Sequence, residues 1–465
     1  MRPRVPSVLA ALSLITVAAA CGPEHAANPV RDVFAATAHE PGFGTPVVFR
    51  FPGERDGSPR LYRLPDLEAI SWPFETGDSP VHSVVGFASD RDEVYVVTRA
   101  AELAALDLGT GRMRTVDSSV VLAVVGPTGT PFAVHQDGSV ASVALRSLAP
   151  WPSGFDRVPE RIWGSVREHL VAVLQTDSTR TLVQAASGQS PVAQPLPGER
   201  VAVSAWADAA AVITGSAVVL LDPGDPAART RFETDPAPLL ADFSASGHRL
   251  HIVRTDGTLI AVDRFSLEQL EDLRLPGTPT ASRVDPWGRW QLLRSPDDST
   301  IWVVDVVSWT LVDSTTGAWD ADLPLVAPDG TILIRRGDHV AAVTPGESAT
   351  ASIQAAPSDR WISMGWDPSQ PALAASDPDT PEPTQPGQLI YVQVSSTSNP
   401  DWAADLAGNL RRAGMPASVL SPEAPAEPYR VVLGPYPDRE EAEATGRQLK
   451  VPFWIFTRDT LSTRQ

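Results

Sequence analysis

The sequence predicts a multidomain chain with two folded units: an all-β propeller and, after it, a small α+β unit in which two helices cover one face of a four-stranded sheet. From residue 45 to residue 368, short β-prone runs are broken by Gly, Asp and Pro turns, and almost no helical period is present. A strand-and-turn pattern repeats there about every forty residues, the length of one propeller blade. Residues 388–465 instead follow the order strand, helix, strand, strand, helix, strand.

The repeat carries a turn glycine at a constant place. Gly247, Gly288 and Gly330 each follow the first strand of a unit and precede the second. Counting from Ser83 gives about seven units, each with the strand content of a blade. A pair of β-sandwiches is the alternative all-β arrangement, but the steady period favours the propeller.

The two ends of the repeat region bear on the blade number. Three strand-like pieces lie in residues 47–74, and one lies in residues 360–366. A propeller has to close its ring, and three strands from one end with one from the other complete a shared blade. We therefore favour eight blades, with seven as the alternative if the first strands only cover the rim.

The C-terminal unit shows helical spacing between its strands. Trp402, Leu406, Leu410 and Ala413 recur every three to four residues, as on a helix that buries one stripe. Asp438 precedes the second helical segment and can cap its free N–H groups.

Three stretches of this unit carry a family resemblance: Tyr-Val-Gln-Val-Ser-Ser at 391–396, Leu-Arg-Arg-Ala-Gly at 410–414 and Tyr-Arg-Val-Val-Leu-Gly-Pro-Tyr at 429–436. In this order they resemble the SPOR domain, the peptidoglycan-binding module of bacterial cell-envelope and cell-division proteins. The resemblance implies binding to septal glycan strands stripped of their stem peptides. Ser395 departs from it, since the family usually has Gly there, and so does the lack of an aromatic residue after Ser396.

The resemblance and the strand period together predict a glycan-binding face on the sheet of the C-terminal unit. Alternation predicts that the valines of the first strand face the helices and that the intervening polar residues face the open side. The predicted glycan-binding residues are Gln393, Ser396, Arg430, Tyr429 and Trp454. The alternative is that these side chains are solvent-exposed residues without a ligand or, for Trp454, that the ring belongs to the core.

The N-terminus has the pattern of an export signal. Arg2 and Arg4 precede an apolar run over residues 8–20 that ends in small residues before Cys21, the single cysteine of the chain. Residues 17–21 resemble the bacterial lipobox, which implies lipidation of Cys21; the alternative is ordinary cleavage beside an incidental cysteine. Residue 22 is Gly and not Asp, so the resemblance implies an outer-membrane anchor facing the periplasm.

The remaining segments and the charge narrow the function classes. Residues 21–44 are predicted to be a tether, and the Pro-rich, acidic residues 369–387 an extended linker. A formal net charge of -19 argues against nucleic acid as a partner. No motif for a nucleophile, a phosphate loop or a metal site is present, so we predict no catalytic residues, no metal and no cofactor.

Two hypotheses follow from the sequence. In the first, the chain is a non-catalytic envelope lipoprotein that binds peptidoglycan glycan strands and presents the propeller as a platform for a protein partner. In the second, it is a carbohydrate- or peptidoglycan-active enzyme with its site in the propeller channel and the C-terminal unit as a targeting module. Converging carboxylates in the channel would favour the second hypothesis.

Overall fold

A computed structural model describes most of residues 45–366 and 388–459. Within those ranges it leaves out residues 54–57, 73–79, 89–90, 127–128, 145, 166–168, 178, 206, 246, 248, 265, 307, 348–350, 398–402, 404–405, 408–409, 412–414, 422–428, 440, 443–444 and 447–453. The predicted signal peptide, Cys21, the tether and the Pro-rich linker lie outside the described residues.

The described residues of the first unit form 32 strands, numbered along the chain. They are β1 Pro46–Phe51, β2 Arg60–Arg63, β3 Glu68–Ile70, β4 Val81–Ala88, β5 Glu93–Thr98, β6 Glu102–Asp107, β7 Met113–Ser118, β8 Val120–Val125, β9 Pro131–His135, β10 Val140–Ala144, β11 Ser147–Pro150, β12 Arg161–Gly164, β13 His169–Gln175, β14 Arg180–Ala186, β15 Val192–Pro195, β16 Val201–Val203, β17 Ala210–Thr214, β18 Ala217–Asp222, β19 Asp225–Glu233, β20 Pro238–Phe243, β21 Arg249–Arg254, β22 Thr258–Asp263, β23 Gln269–Arg274, β24 Ala281–Val284, β25 Trp290–Arg294, β26 Thr300–Asp305, β27 Thr310–Thr316, β28 Leu325–Val326, β29 Ile332–Arg336, β30 His339–Val343, β31 Ala351–Gln354 and β32 Arg360–Gly365.

These strands form four-stranded antiparallel sheets, which we call blades 1 to 8. Blade 1 has the order β3-β2-β1-β32, so it joins three strands from the start of the unit with one from its end. Blades 2 to 8 take four consecutive strands each, from β4–β7 to β28–β31. The shared blade settles the alternative between seven and eight blades in favour of eight, and the propeller prediction is confirmed.

The closing blade is held by a continuous register between the two ends of the unit. Val48 of β1 lies opposite Ser363 of β32 on one side and opposite Tyr62 of β2 on the other. The first strand of a blade contacts the first strand of the next one, as β4 does with β8 and with β32. The chain therefore forms a ring with these first strands, and β32 in blade 1, innermost.

Apolar clusters fill the spaces between the blades. Among the described residues, one cluster lies at each junction around the ring, from blades 1 and 2 to blades 8 and 1. In β5, for example, Val94 and Val96 belong to the cluster shared with blade 1, whereas Tyr95 and Val97 belong to the one shared with blade 3. The second strand of a blade is thus buried on both faces, which explains its nearly continuous apolar sequence.

The constant turn glycine has a conformational reason. Gly247, Gly288 and Gly330 have φ values of 72°, 80° and 85°, in the left-handed region that other residues rarely adopt. The N–H of each donates to the carbonyl three residues earlier, at 2.8–3.1 Å. The same turn therefore joins the first and second strands of blades 6, 7 and 8.

The C-terminal unit is a separate sheet of four strands with the order β34-β35-β33-β36. The strands are β33 Gln388–Thr397, β34 Ala417–Leu420, β35 Tyr429–Tyr436 and β36 Trp454–Asp459. Described residues 403, 406–407 and 410–411 are helical, as are 439, 441–442 and 445–446. The predicted βαββαβ order is confirmed.

The junction of β1 and β32 provides a stability test. Arg50 donates from Nε to the Asp359 carboxylate at 2.7 Å, and Asp359 is 2% exposed. We expect Arg50→Ala to lower the free energy of unfolding by about 2–3 kcal/mol, because it leaves a buried carboxylate without its cation. The matched control is Arg63→Ala in the same blade, whose exposed partner is Glu68; its expected cost is below about 1 kcal/mol. Equal urea midpoints for the two variants would contradict this role of the closing blade.

Candidate functional site

One face of the C-terminal sheet is covered by the two helical segments. Ile390, Val392 and Val394 of β33 pack with Leu406 and Leu410, and each of these side chains is buried. The second helical segment begins as the sequence predicts, since the Asp438 carboxylate accepts from the Glu441 backbone N–H at 2.8 Å. Trp402 and Ala413 lie outside the described residues.

The other face carries the predicted polar residues in two neighbouring rows. In the first row, Gln393 lies opposite Val432 of β35 on one side and opposite Trp454 of β36 on the other. In the second row, Ser396 lies opposite Arg430. Because Val432 and Arg430 are two residues apart on one strand, both rows belong to the same side of the sheet.

A β-bulge creates this arrangement. Gln393 and Ser396 are three residues apart, and strict alternation would place them on opposite faces. The register shifts by one residue between Gln393 and Ser395, so Ser396 and not Ser395 lies opposite Arg430. Ser395 lies instead opposite Val431, a core residue. The expectation that Ser395 shares the open side with Gln393 is therefore wrong, because it assumed a regular strand.

Gln393 and Arg430 are half-buried, and Val432, opposite Gln393 in the first row, is fully buried. Tyr429 packs against the core cluster, on the opposite side from Arg430. The backbone of Ser396 and of Trp454 is described, and their side chains lie outside the description. The assignment of all five residues to glycan binding stays a prediction.

The propeller has a cavity of about 900 Å³ between the innermost strands of blades 4 to 7. Four carboxylates line it: Glu160, Glu199, Asp242 and Asp285. Glu160 pairs with Arg180 at 2.9 Å, and Asp285 accepts from three backbone N–H groups at 2.8–3.2 Å. Burial raises the pKa of Asp285 to about 6. These two carboxylates thus have structural partners, and the sequence contained no signal for the cavity because its lining comes from four blades.

In the part of the chain that the structure describes, no three His, Cys, Asp or Glu side chains lie close enough together to hold a metal ion. No described helix has the length and apolar character needed to cross a bilayer.

Residues 386–453 match the family model of the SPOR domain. This match confirms the resemblance predicted from the three stretches. The SPOR domain is a peptidoglycan-binding module. The SPOR sheet carries both rows described above. No curated protein gives a significant match to the chain.

Solved structures similar to the propeller differ widely in kind. Apo AztD from Citrobacter koseri has 10% sequence identity and a TM-score of 0.48, covering 69% of this chain and 99% of its own. The dihydro-heme d1 dehydrogenase NirN in complex with DHE has 12% identity and a TM-score of 0.47, covering 69% and 76%. The computationally designed Ika8 protein has 12% identity and a TM-score of 0.43, covering 69% and 99%.

The two faces of the SPOR sheet should respond differently to mutation. We expect Val394→Asp to unfold the SPOR domain, because it buries a charge beneath the helices at a cost of about 3 kcal/mol or more. Gln393→Ala, on the neighbouring residue, should change the stability by less than about 1 kcal/mol. Hydrogen–deuterium exchange over residues 388–459 of the full chain measures both. Equal protection in the two variants would contradict the assignment of faces.

Proposed function

We propose that this chain is a non-catalytic cell-envelope protein that binds denuded, septal glycan strands through its SPOR sheet and presents the propeller as a platform for a protein partner. The observation that carries the proposal is the match of residues 386–453 to the SPOR domain. The bulged register supports it, because it brings Gln393, Ser396 and Arg430 to two adjacent rows of one face.

The chemistry of these residues suits a sugar ligand. The Gln393 amide both donates and accepts hydrogen bonds, as an N-acetyl group requires, and the Arg430 guanidinium offers several donors to sugar oxygens. The preference for strands stripped of their stem peptides is what the match to the SPOR domain implies.

Retention on sacculi tests this proposal. The full chain should be retained more strongly by amidase-treated sacculi than by intact ones. The double variant Gln393→Ala/Arg430→Ala should lose about tenfold or more in affinity, since each lost hydrogen bond costs roughly 1 kcal/mol. Arg411→Ala is the matched control, because Arg411 is an exposed arginine on the helical layer and should leave retention unchanged. Unaltered retention of the folded double variant would refute the site.

Two of the four cavity carboxylates have structural partners, and this supports the non-catalytic part of the proposal. Glu160 is held by Arg180 and Asp285 by backbone amides, which supports structural roles for both. The competing enzyme hypothesis needs an acid and a base that are both available to a substrate in the channel.

The lipid anchor is the second part of the proposal, and it places the protein at the outer membrane facing the periplasm. It is supported by the lone cysteine directly after the small residues of the export signal. Each buried methylene of an acyl chain contributes about 0.8 kcal/mol, so two or more chains hold a protein firmly.

Cys21→Ser tests the anchor. The wild-type protein should partition into the detergent phase, and the variant should appear in the aqueous phase or as an uncleaved precursor. Cys21 is the single cysteine, so no disulfide effect can confuse the result. Detergent partitioning of a correctly cleaved Cys21→Ser protein would contradict the lipid anchor.

A further inference from the structure

The cavity between blades 4 and 7 has the size and lining of a small-molecule site. Its volume of about 900 Å³ lies within the roughly 300–1,000 Å³ of typical ligand pockets. The aromatic residues Trp163 and Phe243 line it together with the polar residues Arg161, Asp242 and Ser282. The lining therefore offers both apolar surface and hydrogen-bonding groups.

Three arginines line this cavity, and the structure uses them differently. Arg180 is paired with Glu160 at 2.9 Å, and Arg200 donates to the Leu239 carbonyl at 2.6 Å. Arg161 has an exposed side chain whose guanidinium carbon lies 5.0 Å from the centre of the Trp163 ring. Among the described residues, no carboxylate or carbonyl accepts a hydrogen bond from Arg161. Its planar set of donors is thus available to a ligand.

On the side of the cavity formed by blades 6 and 7, hydrogen bonds link Gln291, Ser282 and Asp242. Gln291 is fully buried, and its Nε2 donates to the Ser282 hydroxyl at 2.9 Å. Ser282 can therefore direct its own proton to the neighbouring Asp242. Burial raises the pKa of the Asp242 carboxyl, and the Ser282 hydrogen bond and the Arg161 charge oppose that rise. Arg161 of blade 4 and Asp242 of blade 6 thus line the same cavity, and the charge of Arg161 favours the ionised form of Asp242.

We propose that this cavity binds an acidic sugar, with the sugar carboxylate on Arg161 and the sugar hydroxyls on Asp242 and Ser282. A guanidinium and a carboxylate match in a bidentate geometry, and this pair is stronger than a neutral hydrogen bond. The Asp242 carboxylate and the remaining lone pair of the Ser282 hydroxyl accept hydrogen bonds from sugar hydroxyls, while the half-buried Trp163 ring lies beside the apolar C–H groups of the sugar. The site is additional to the glycan-binding face of the SPOR sheet.

Two sources can supply such a carboxylate: the lactyl group of muramic acid in glycan strands, or a uronic acid. Calorimetry on the full chain distinguishes them with three probes: the N-acetylglucosamine–N-acetylmuramic acid disaccharide, an N-acetylglucosamine–glucuronic acid disaccharide and neutral chitobiose. The chain should carry Gln393→Ala/Arg430→Ala, so that the SPOR sheet does not contribute. At least one acidic probe should bind about tenfold or more tightly than chitobiose, and the tighter of the two identifies the source.

Arg161→Gln provides the decisive variant. It should reduce the affinity for the acidic probe by about tenfold or more and leave chitobiose unchanged, because it removes one charge-assisted contact. Arg180→Gln is the matched control in the same cavity, and its expected change is less than about threefold, because Arg180 is already held by Glu160. Unchanged melting temperatures should show that both variants are folded. No acidic probe binding at millimolar concentration, equal binding of chitobiose, or full affinity in Arg161→Gln would overturn the site, whereas retention on sacculi reports on the SPOR sheet alone.

Discussion

The burial of both faces of the middle strands is the constraint on which the propeller depends. Successive side chains of a strand point to opposite faces, so a strand with apolar residues at every position has to be covered twice. The buried strand Glu93–Thr98 shows this, since its alternate residues enter two different clusters. A single sheet cannot satisfy such a strand, and a ring of sheets does so at every position. Closure of the ring follows from the same requirement at both ends of the repeat.

Polar contacts between neighbouring blades reinforce the apolar clusters. Three arginines donate to backbone carbonyls beside or within the innermost strand of the next blade: Arg200 to Leu239 at 2.6 Å, Arg283 to Pro324 at 2.6 Å and Arg360 to His82 at 2.8 Å. Leu239 and His82 lie at register shifts of β20 and β4, and Pro324 directly precedes β28. The guanidinium groups thus bond to carbonyls where the strand ladder is irregular. Arg161, at the start of its own innermost strand, makes no such contact among the described residues, which is why it stands out as a group for a ligand.

The SPOR sheet shows how one extra residue decides what a face can do. On its covered side, Val392 and Leu433 lie opposite each other in the core. On the open side, the bulge after Gln393 moves Ser396 into line with Arg430. A regular strand would have divided the polar groups between the two faces. The apolar core on one side and the polar rows on the other thus come from the same two strands.

The period of the repeat and the order of the strands and helices can be read from the sequence alone, and they determined the architecture. The spacing of the turn glycines and of the strand runs predicted the blades, because each blade is built from consecutive residues. The three-plus-one division of strands at the ends predicted the shared blade β3-β2-β1-β32. The order of elements and the motif residues predicted the SPOR domain, and Asp438 predicted the start of its second helix.

Only the tertiary structure decided which polar residues meet. The register shift at Gln393 and Ser395 follows from the pairing of β33 with β35, so strict alternation misplaced Ser395 and Tyr429 proved to contact the core. Arg161 and Asp242 are far apart in the chain and come from blades 4 and 6, yet they line one cavity. A local pattern determines elements because it acts through neighbouring residues. A site assembled from several blades depends on where those elements are packed, and no local pattern records that.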